Sequence, residues 1–254
     1  MKPAERHGMI LASAAKGIRI EVEDLARQTG ASRETIRRDL AALDRAGRLR
    51  RVHGGALAIP TLSAFEDPFH QRLQSQVEAK RAIARHVAAG LRPGDSLFID
   101  TGSTTIFLAE ELSRLKGLII ITNSADIAAL AEKGEAAHVI LIGGEFRGAG
   151  RESLGAMALA QIGQLRATEA ILTVAALTAD GAMDIDPQEA EIARAMARQA
   201  SKVTVLADST KMGRIGVFEV AALSSLTRVV TDAMPRALRL AAESAGVKVE
   251  IAPK

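Results

Sequence analysis

Cysteine, tryptophan and tyrosine are absent from this 254-residue chain, and aromatic residues make up only 2% of it. The lack of cysteine excludes disulfides and thiolate metal sites, and it fits a reducing compartment such as the cytoplasm. The scarcity of aromatic rings argues against binding of single-stranded nucleic acid, which needs stacking platforms. No apolar run approaches the roughly 20 residues that span a bilayer, and the N-terminal segment lacks a signal-peptide core. We therefore expect a soluble, cytoplasmic protein with no membrane partner.

Enzyme and metal signatures are also missing. The sequence has no P-loop, no nucleophile elbow and no HExxH motif. Its five histidines show no metal-ligand spacing. We therefore expect no metal, no cofactor and no catalytic residue.

Positive charge is concentrated at one end of the chain. The net charge is +3, but residues 1–58 carry +5 and the remainder carries −2. Hydrophobic residues make up 48% of the sequence, which is enough to bury a core in one large or two modest domains. The basic N-terminal quarter is typical of a module that neutralises phosphates.

The stretch from Ala31 to Leu40 has the pattern of a DNA-reading helix. At helical spacing, Ile36, Leu40 and Leu43 share one side, and arginines occupy the opposite side near the start. A preceding helix over 22–29 and a break at Gly30 complete the order of a helix-turn-helix. The alternative is an ordinary helical pair with a solvated arginine face.

The residues after this helix predict a wing. Residues alternate in type from Arg48 to Leu57, and Gly54-Gly55 is a hairpin signal. Two short strands here would place Arg48, Arg50 and Arg51 near the DNA backbone. His53 would contact phosphate or serve as a turn residue. We thus predict a winged helix-turn-helix domain over 1–58, followed by a linker over 59–76.

Short apolar runs alternate with helical segments of 8–14 residues from residue 77 to the end. This alternation predicts a doubly wound, mostly parallel α/β domain over 77–254. Ligands of such sheets bind beyond the carboxyl ends of the strands. The chain should therefore combine a winged helix-turn-helix with an α/β domain that binds a ligand.

One predicted strand runs through Asp100-Thr101-Gly102-Ser103-Thr104-Thr105 directly into a helix. Gly102 allows close backbone approach, and the hydroxyls together with the first helical N–H groups form an anion cradle suited to phosphate. The alternative is that Ser103 caps the helix and that Asp100 only accepts hydrogen bonds from the backbone.

Other strand ends carry further candidate ligands, each with a plainer explanation. Asn123 lies at a helix start, Gly143-Gly144 either leaves room for a ligand or turns the chain, and Lys211 would meet a sugar phosphate or pair with Asp208. Acids including Asp184 and Glu189 would line the cleft or favour the next helix N-terminus.

These stretches together resemble the DeoR family of bacterial sugar-responsive repressors. The resemblance rests on residues 31–40, on Arg51-Val52-His53-Gly54-Gly55-Ala56, and on sensor stretches in the family's order. Those sensor stretches are 100–105, 121–123, 142–144, 207–211 and 230–232.

The resemblance implies a sensor domain similar to ribose-5-phosphate isomerase and coenzyme A transferases. It also implies a transcriptional regulator, here a repressor of a sugar-catabolism operon, whose affinity for operator DNA changes when a phosphorylated sugar binds. The residues expected at the DNA are Ser32, Arg33, Thr35, Arg37, Arg38, Arg48, Arg50, Arg51 and His53. The residues expected at the effector are Asp100, Thr101, Gly102, Ser103, Thr104, Thr105, Asn123, Gly143, Gly144, Asp184, Glu189 and Lys211.

The expected partners are double-stranded operator DNA, a phosphorylated sugar and further copies of the chain in a dimer or tetramer. Two other functions fit parts of the sequence. A sugar-phosphate isomerase would use Asp100, Asp184 or Glu189 as general base. An architectural DNA binder would have no ligand, which fits poorly with the convergent polar strand ends.

Overall fold

The computed structural model describes residues 3–14, 20–45, 49–52, 54–58, 67–136 and 138–253. The chain divides into two compact units, with the boundary near residue 61. Within the described residues, no helix is both long and apolar enough to span a membrane.

The N-terminal unit is a helical module with a small antiparallel sheet. Its elements are α1 (Pro3–Ala14), β1 (Ile20–Glu21), α2 (Val22–Thr29), α3 (Arg33–Arg45), β2 (Leu49–Val52) and β3 (Gly55–Ala58). The strands β2 and β3 pair as an antiparallel hairpin, and β1 pairs with the other edge of β3. The predicted three helices and two wing strands are confirmed, while β1 was not predicted because its two residues are too short to show alternation.

The stripe predicted on α3 forms the centre of this unit. Ile36, Leu40 and Leu43 are buried together with Ile10 of α1 and Leu25 of α2. Burying such side chains stabilises a small domain by roughly 1.5–3 kcal/mol each. The packing fixes which side of α3 faces outward.

The second unit is an α/β domain with its helices and strands in alternation. Its elements are α4 (Phe69–Gln74), α5 (Val77–Ala88), β4 (Ser96–Ile99), α6 (Ser103–Leu112), β5 (Ile119–Thr122), α7 (Ala125–Glu132), β6 (His138–Leu141), β7 (Glu145–Arg147), β8 (Glu152–Leu154), α8 (Gly155–Gly163), β9 (Ala167–Thr173), β10 (Ala176–Leu177), β11 (Gly181–Asp184), α9 (Pro187–Arg198), β12 (Ala200–Leu206), β13 (Phe218–Ala222), β14 (Arg228–Thr231), α10 (Arg236–Ser244) and β15 (Lys248–Ile251).

Seven parallel strands form the main sheet in the order β15-β14-β12-β9-β4-β5-β6. One face packs against α5, α6 and α7 through residues such as Ile83, Leu108 and Ile127. The other face packs against α8, α9 and α10 through residues such as Ile162, Met196 and Ala242. The predicted doubly wound parallel sheet is therefore confirmed.

Two antiparallel additions were not predicted. The hairpin β7–β8 follows β6, and β11 pairs on its two sides with β10 and β13. Residues 69–74, which the sequence assigned to a linker, form α4 with Phe69 buried. The linker assignment missed α4 because six residues are too few to show a helical period.

Candidate functional sites

The first turn of α3 is held by a serine cap. The backbone N–H of Thr35 donates to Ser32 Oγ at 3.1 Å, and the hydroxyls of the two residues lie 2.9 Å apart. Gly30 adopts a left-handed conformation with φ of 69°, which ends α2 and permits the tight turn. Gly30 and Ser32 therefore fix where α2 ends and where α3 begins.

Three arginines are exposed in the first half of α3, on the side away from the core. Arg33 pairs with Glu23 at 3.0 Å, while Arg37 and Arg38 approach Glu34 at 3.9 and 3.6 Å. All of these partners are themselves largely exposed, and such pairs stabilise by only about 0–1 kcal/mol. The guanidinium groups can therefore exchange these acids for phosphate at little cost. Thr35 is half-buried beside them.

Only part of the predicted wing surface is described. Arg51 is exposed on β2, and its backbone N–H donates to Asp44 Oδ1 at 3.1 Å, which ties the strand to the end of α3. Arg48, His53 and the side chain of Arg50 lie outside the described residues.

Asp39 follows Arg37 and Arg38 directly in α3, yet it is buried. It accepts hydrogen bonds from Arg6, through Nε and through Nη2 at 3.2 Å, and lies 3.0 Å from His7 Nε2. Burial raises the pKa of Asp39, but the hydrogen bonds from Arg6 and His7 outweigh it, so the pKa is lowered overall. This pairing was not predicted from the sequence, because Arg6 and His7 lie on a different helix from Asp39.

In the second unit, the loop after β4 is buried and partly unsatisfied. Asp100 Oδ1 accepts the N–H of Thr101 at 2.9 Å, and the hydroxyl of Thr105 donates back to the carbonyls of Asp100 and Gly102. Ser103 and Thr104 are each more than nine-tenths buried in the first turn of α6. Neither of these two hydroxyls has a hydrogen-bond partner within the described residues. The oxygen atoms of both hydroxyls still reach the protein surface, where a ligand or water can bond them.

The side chain of Thr173 leaves no room for a Cβ atom at position 102. A Cβ at this position would collide with the side chain of Thr173 at the end of β9. Thr173 Oγ1 donates to the carbonyl of Thr101 at 3.1 Å, which holds the loop against the neighbouring strand. Thr173 is a contributor to the cradle that sequence spacing gave no means of finding.

Asn123, at the end of β5, links three segments and does not cap the next helix. Its Oδ1 accepts from the N–H and the hydroxyl of Thr101, both at 3.2 Å, and its Nδ2 donates to the carbonyl of Ser153. The cap of α7 is Ser124, whose Oγ accepts from Ile127 N. The structure thus places Asn123 beside the cradle loop.

Three further carboxylates lie near that of Asp100. Glu152, Asp184 and Glu189 each raise the pKa of Asp100 through their charge, although burial is the largest cause of a pKa well above the usual range. Burial likewise raises the pKa of Glu152 to about 7 and, with the charge of Glu152, that of Glu189 to about 8. We name Asp100, Glu152, Asp184 and Glu189 the acidic cluster. Among the residues that the structure describes, no three acids or histidines are arranged to hold a metal ion.

Arg147, on β7, balances one side of this cluster. Its Nη1 donates to Asp186 Oδ2 at 2.9 Å and to Glu189 Oε1 at 3.2 Å, and its Nη2 donates to Gln188. Arg147 and Glu189 also line a cavity of about 330 Å³ together with Arg72 of α4 and Gly150. Neither Arg147 nor Glu152 was found from the sequence, because the hairpin that carries them gave no strand signal.

Three other predicted effector residues lie in different surroundings. Gly143 is tied by its backbone to the side chain of Gln161, at 3.0 and 3.1 Å, and a Cβ on Gly144 would collide with the carbonyl of Leu154. Contacts within the protein therefore explain why both positions are glycine. Lys211 lines a smaller polar cavity of about 80 Å³ that also includes Lys80.

Comparison with known proteins identifies the two units. Residues 6–61 match the model of the DeoR-like helix-turn-helix domain, and residues 75–233 match that of the DeoR C-terminal sensor domain. The chain belongs to the DeoR family. The family membership predicted from the motifs is thus confirmed.

Similar proteins include several bacterial regulators. The chain is 34% identical to the glycerol-3-phosphate regulon repressor of Escherichia coli K12 over 92% of this chain and 93% of that protein. It is 32% identical to the transcriptional repressor CsqR of the same organism, covering 91% and 88%. It is 30% identical to the regulator GolR of Listeria innocua, covering 99% and 100%.

Among solved structures, ribose 5-phosphate isomerase A of Methanocaldococcus jannaschii aligns with a TM-score of 0.40 at 14% identity. The alignment covers 54% of this chain and 55% of that one.

Proposed function

We propose that this protein is a repressor of a sugar-catabolism operon, whose binding to operator DNA is modulated by a phosphorylated sugar held in the sensor domain. The observation that carries the proposal is the cradle at the start of α6, in a chain that also exposes an arginine face on α3. In this cradle the hydroxyls of Ser103 and Thr104 bond no other described residue and reach the protein surface. The repressor names of the relatives support it.

The DNA-binding side of the proposal rests on α3. Its capped N-terminal half would enter the major groove, where Arg37 and Arg38 would reach guanine edges or phosphates. Arg33, Ser32 and Thr35 would contact the backbone from the same turn, and Arg51 would contact phosphates from the wing. Arg48, Arg50 and His53 stay predicted contacts of the same kind.

The effector side rests on the end of β4. The backbone N–H groups at the start of α6, with the hydroxyls of Ser103 and Thr104, would hold the phosphate group. Gly102 would allow close approach, Thr105 would brace the loop, and Thr101 and Asn123 would contact the sugar. Asp184 and Glu189 would face its hydroxyls. Gly143, Gly144 and Lys211 stay predicted contacts at the margins.

The proposal is tested with DNA from upstream of the protein's own gene, at fixed salt, with and without a panel of sugar phosphates and the matching unphosphorylated sugars. We expect specific binding that one phosphorylated compound weakens and its parent sugar does not. Binding that no phosphorylated compound changes would contradict the effector half of the proposal.

The arginine face is tested by Arg37→Ala and Arg38→Ala, with Arg45→Ala at the other end of α3 as the matched control. Replacing an arginine that reads a base should weaken binding to operator DNA by about 1–3 kcal/mol, and binding to random DNA by much less. An equal loss on both DNAs would assign that arginine to phosphate alone. No loss in either variant would contradict the placement of α3 in the groove.

We also propose a symmetric homo-oligomer, a dimer or tetramer, reading a palindromic operator, since half-sites mirror protein symmetry. Size-exclusion chromatography with light scattering should give a multiple of the 26.8 kDa chain mass. A monomer at micromolar concentration, both free and on DNA, would contradict this.

A further inference from the structure

The two edges of the main sheet differ in the side chains that they expose. At one edge, β15 carries Lys248 and Glu250, which form an ion pair at 2.7 Å. At the other edge lies β6, where Ile140 and Leu141 are exposed. Proteins commonly protect an open edge with charged side chains, because a free edge can pair with another strand. The edge at β15 is protected in this way, and the edge at β6 is not.

The outer backbone groups of β6 are directed away from the sheet. The N–H groups of His138 and Ile142 donate to carbonyls of the β5 segment, so alternate residues along β6 face β5. The N–H and C=O groups of Val139 and Leu141 therefore point to the opposite side. Among the described strands, none pairs with that side of β6.

Large exposed hydrophobic side chains are concentrated beside this edge. Of the eight such side chains in the described part of the chain, four lie within residues 140–157, and this clustering is typical of an interaction surface. We name these four residues, Ile140, Leu141, Phe146 and Met157, the apolar edge.

Hydrogen bonds and strand pairing join the elements of the apolar edge. The side chain of Gln161 on α8 makes two hydrogen bonds with the backbone of Gly143, just after β6, at 3.0 and 3.1 Å. Phe146 lies on β7, which pairs with β8, and β8 leads directly into the first turn of α8, where Met157 lies. The four side chains therefore belong to elements that are held together at one end of the sheet.

The sequence around the apolar edge is uncharged over two long runs. Residues 139–144 and 153–165 contain no Asp, Glu, Lys, Arg or His. Near the axis of a symmetric interface each residue meets its own copy, so a charge there would meet a like charge. The exposed charges between the two runs, Glu145 and Arg151, are of opposite sign and suit a polar rim. A second copy of this chain therefore fits the surface without a like-charge contact at its centre.

We propose that β6 pairs antiparallel with β6 of a second copy of this chain, with Ile140 opposite Ile140 of the partner subunit. In this register the outward groups of Val139 meet those of Leu141 of the partner subunit on each side of the twofold axis. The two seven-stranded sheets become one continuous sheet, and the charged strand β15 lies at both of its ends. Edge pairing therefore stops at two copies. This inference rests on the proposed symmetric oligomer and assigns its surface.

Cross-linking tests the register. The chain has no cysteine, so one introduced thiol reports one contact. Position 140 is a non-hydrogen-bonded pair in this register, which brings the two Cα atoms to about 4.5 Å, within the range of a disulfide. Ile140→Cys, oxidised with oxidised glutathione, should run mainly as a covalent dimer on a denaturing gel. Ile251→Cys is the matched control, because Ile251 is a similarly exposed isoleucine on the other edge strand, and it should run as a monomer.

A lysine scan tests the surface by a different measurement. Leu141→Lys places a charge near its own copy and should weaken self-association by about a hundredfold. Leu240→Lys on α10 is the matched control, since the two leucines are 49% and 52% exposed, and it should associate like the parent. Sedimentation velocity over a range of concentrations of the full chain measures both, and circular dichroism checks that each variant is folded.

Two results would overturn the inference while leaving the proposed oligomer in place. The first is an oligomeric parent in which Ile140→Cys forms no covalent dimer. The second is equal self-association of Leu141→Lys and Leu240→Lys. Because Ile140→Cys adds no charge at neutral pH, the first result decides the register even if Leu141→Lys does not fold. A parent that is a monomer at micromolar concentration, both free and on DNA, would overturn the proposed oligomer, and the inference with it.

Discussion

In the N-terminal unit a buried carboxylate, Asp39, meets the cationic side chain of Arg6 and the ring of His7, whereas in the acidic cluster of the sensor domain Asp100 lies near three further acids. Of these acids, Glu189 also accepts a hydrogen bond from Arg147 at 3.2 Å. The pKa of Asp39 is lowered by Arg6 and His7, and the pKa values of Glu152 and Glu189 are raised by burial and by neighbouring acids. The carboxyl pKa is therefore shifted in opposite directions in the two environments, although both lie inside a folded unit.

The difference separates an acid that is paired within the fold from acids that we propose to face a ligand. A paired buried charge strengthens the fold only while its partner is present. Buried acids that lie close to other acids cost stability when ionised, and groups with strongly shifted pKa values are frequent at functional sites. Opposite changes in the stability of the two units with pH would establish this contrast.

The largest effect is expected for Glu152→Gln at alkaline pH. The folded-state pKa of about 7 lies above the usual 4.5, so the folded state binds the extra proton and loses stability as pH rises through this window. Glutamine mimics the protonated acid. At about pH 9 the variant should be more stable than the parent by roughly 2–3 kcal/mol, and at about pH 5 by less than about 1 kcal/mol.

The measurement is urea unfolding followed at several pH values. Glu191→Gln serves as the surface control and should stay within about 0.5 kcal/mol of the parent throughout. A variant that is less stable than the parent at about pH 9 would show that Glu152 is paired when ionised.

Asp39→Asn should have the opposite pH dependence. Because the pKa of Asp39 is lowered on folding, its contribution is present at neutral pH and is lost as pH falls through that lowered pKa. At pH 7 we expect a loss of about 2 kcal/mol in the unfolding free energy of the N-terminal unit, as for hydrogen bonds to charged groups.

Chemical denaturation of the full chain at about pH 7 and pH 3 tests this prediction. Glu23→Gln, which removes only an exposed partner of Arg33, is its control. A difference between Asp39→Asn and the parent that persists unchanged at the acidic pH would assign the effect to packing instead of charge.

The contrast between the units was only partly predictable from the sequence. Long periodic patterns gave the helices and parallel strands, because 3.6-residue and apolar-run signals do not depend on distant residues. The hydroxyl-rich loop after β4 was found for the same local reason. The pairing of Asp39 with Arg6 was not, since it joins positions 33 residues apart on different helices.

The acidic cluster was also only partly predictable from the sequence. Asp100, Asp184 and Glu189 were found because they lie at strand ends or at a helix start. Glu152 and Arg147 were missed because the three-residue strands that carry them are too short for alternation to be read. Which side chains meet in a cleft depends on tertiary packing that no local pattern encodes.

A smaller effect is expected for a substitution in the cradle loop that leaves the acidic cluster unchanged. Gly102→Ala places a methyl group against Thr173, and overpacking of this kind should cost about 1–2 kcal/mol. It should weaken phosphate binding without changing the pH dependence that Glu152 produces. Calorimetry and unfolding are compared with Gly163→Ala, where a Cβ meets no atom within 4 Å. Unchanged binding in Gly102→Ala would remove the loop from the effector site.

The smallest expected effect concerns the start of α3. Ser32→Ala removes the acceptor for Thr35 N and should cost about 1 kcal/mol of stability, as should Ser124→Ala at the start of α7. Ser32→Asp keeps the cap, because aspartate accepts the same hydrogen bond, but adds a negative charge beside Arg37 and Arg38. Its stability should match the parent within about 0.5 kcal/mol while operator binding falls. If DNA binding by Ser32→Asp equals that of the parent, then this turn of α3 does not face DNA, however well the cap is formed.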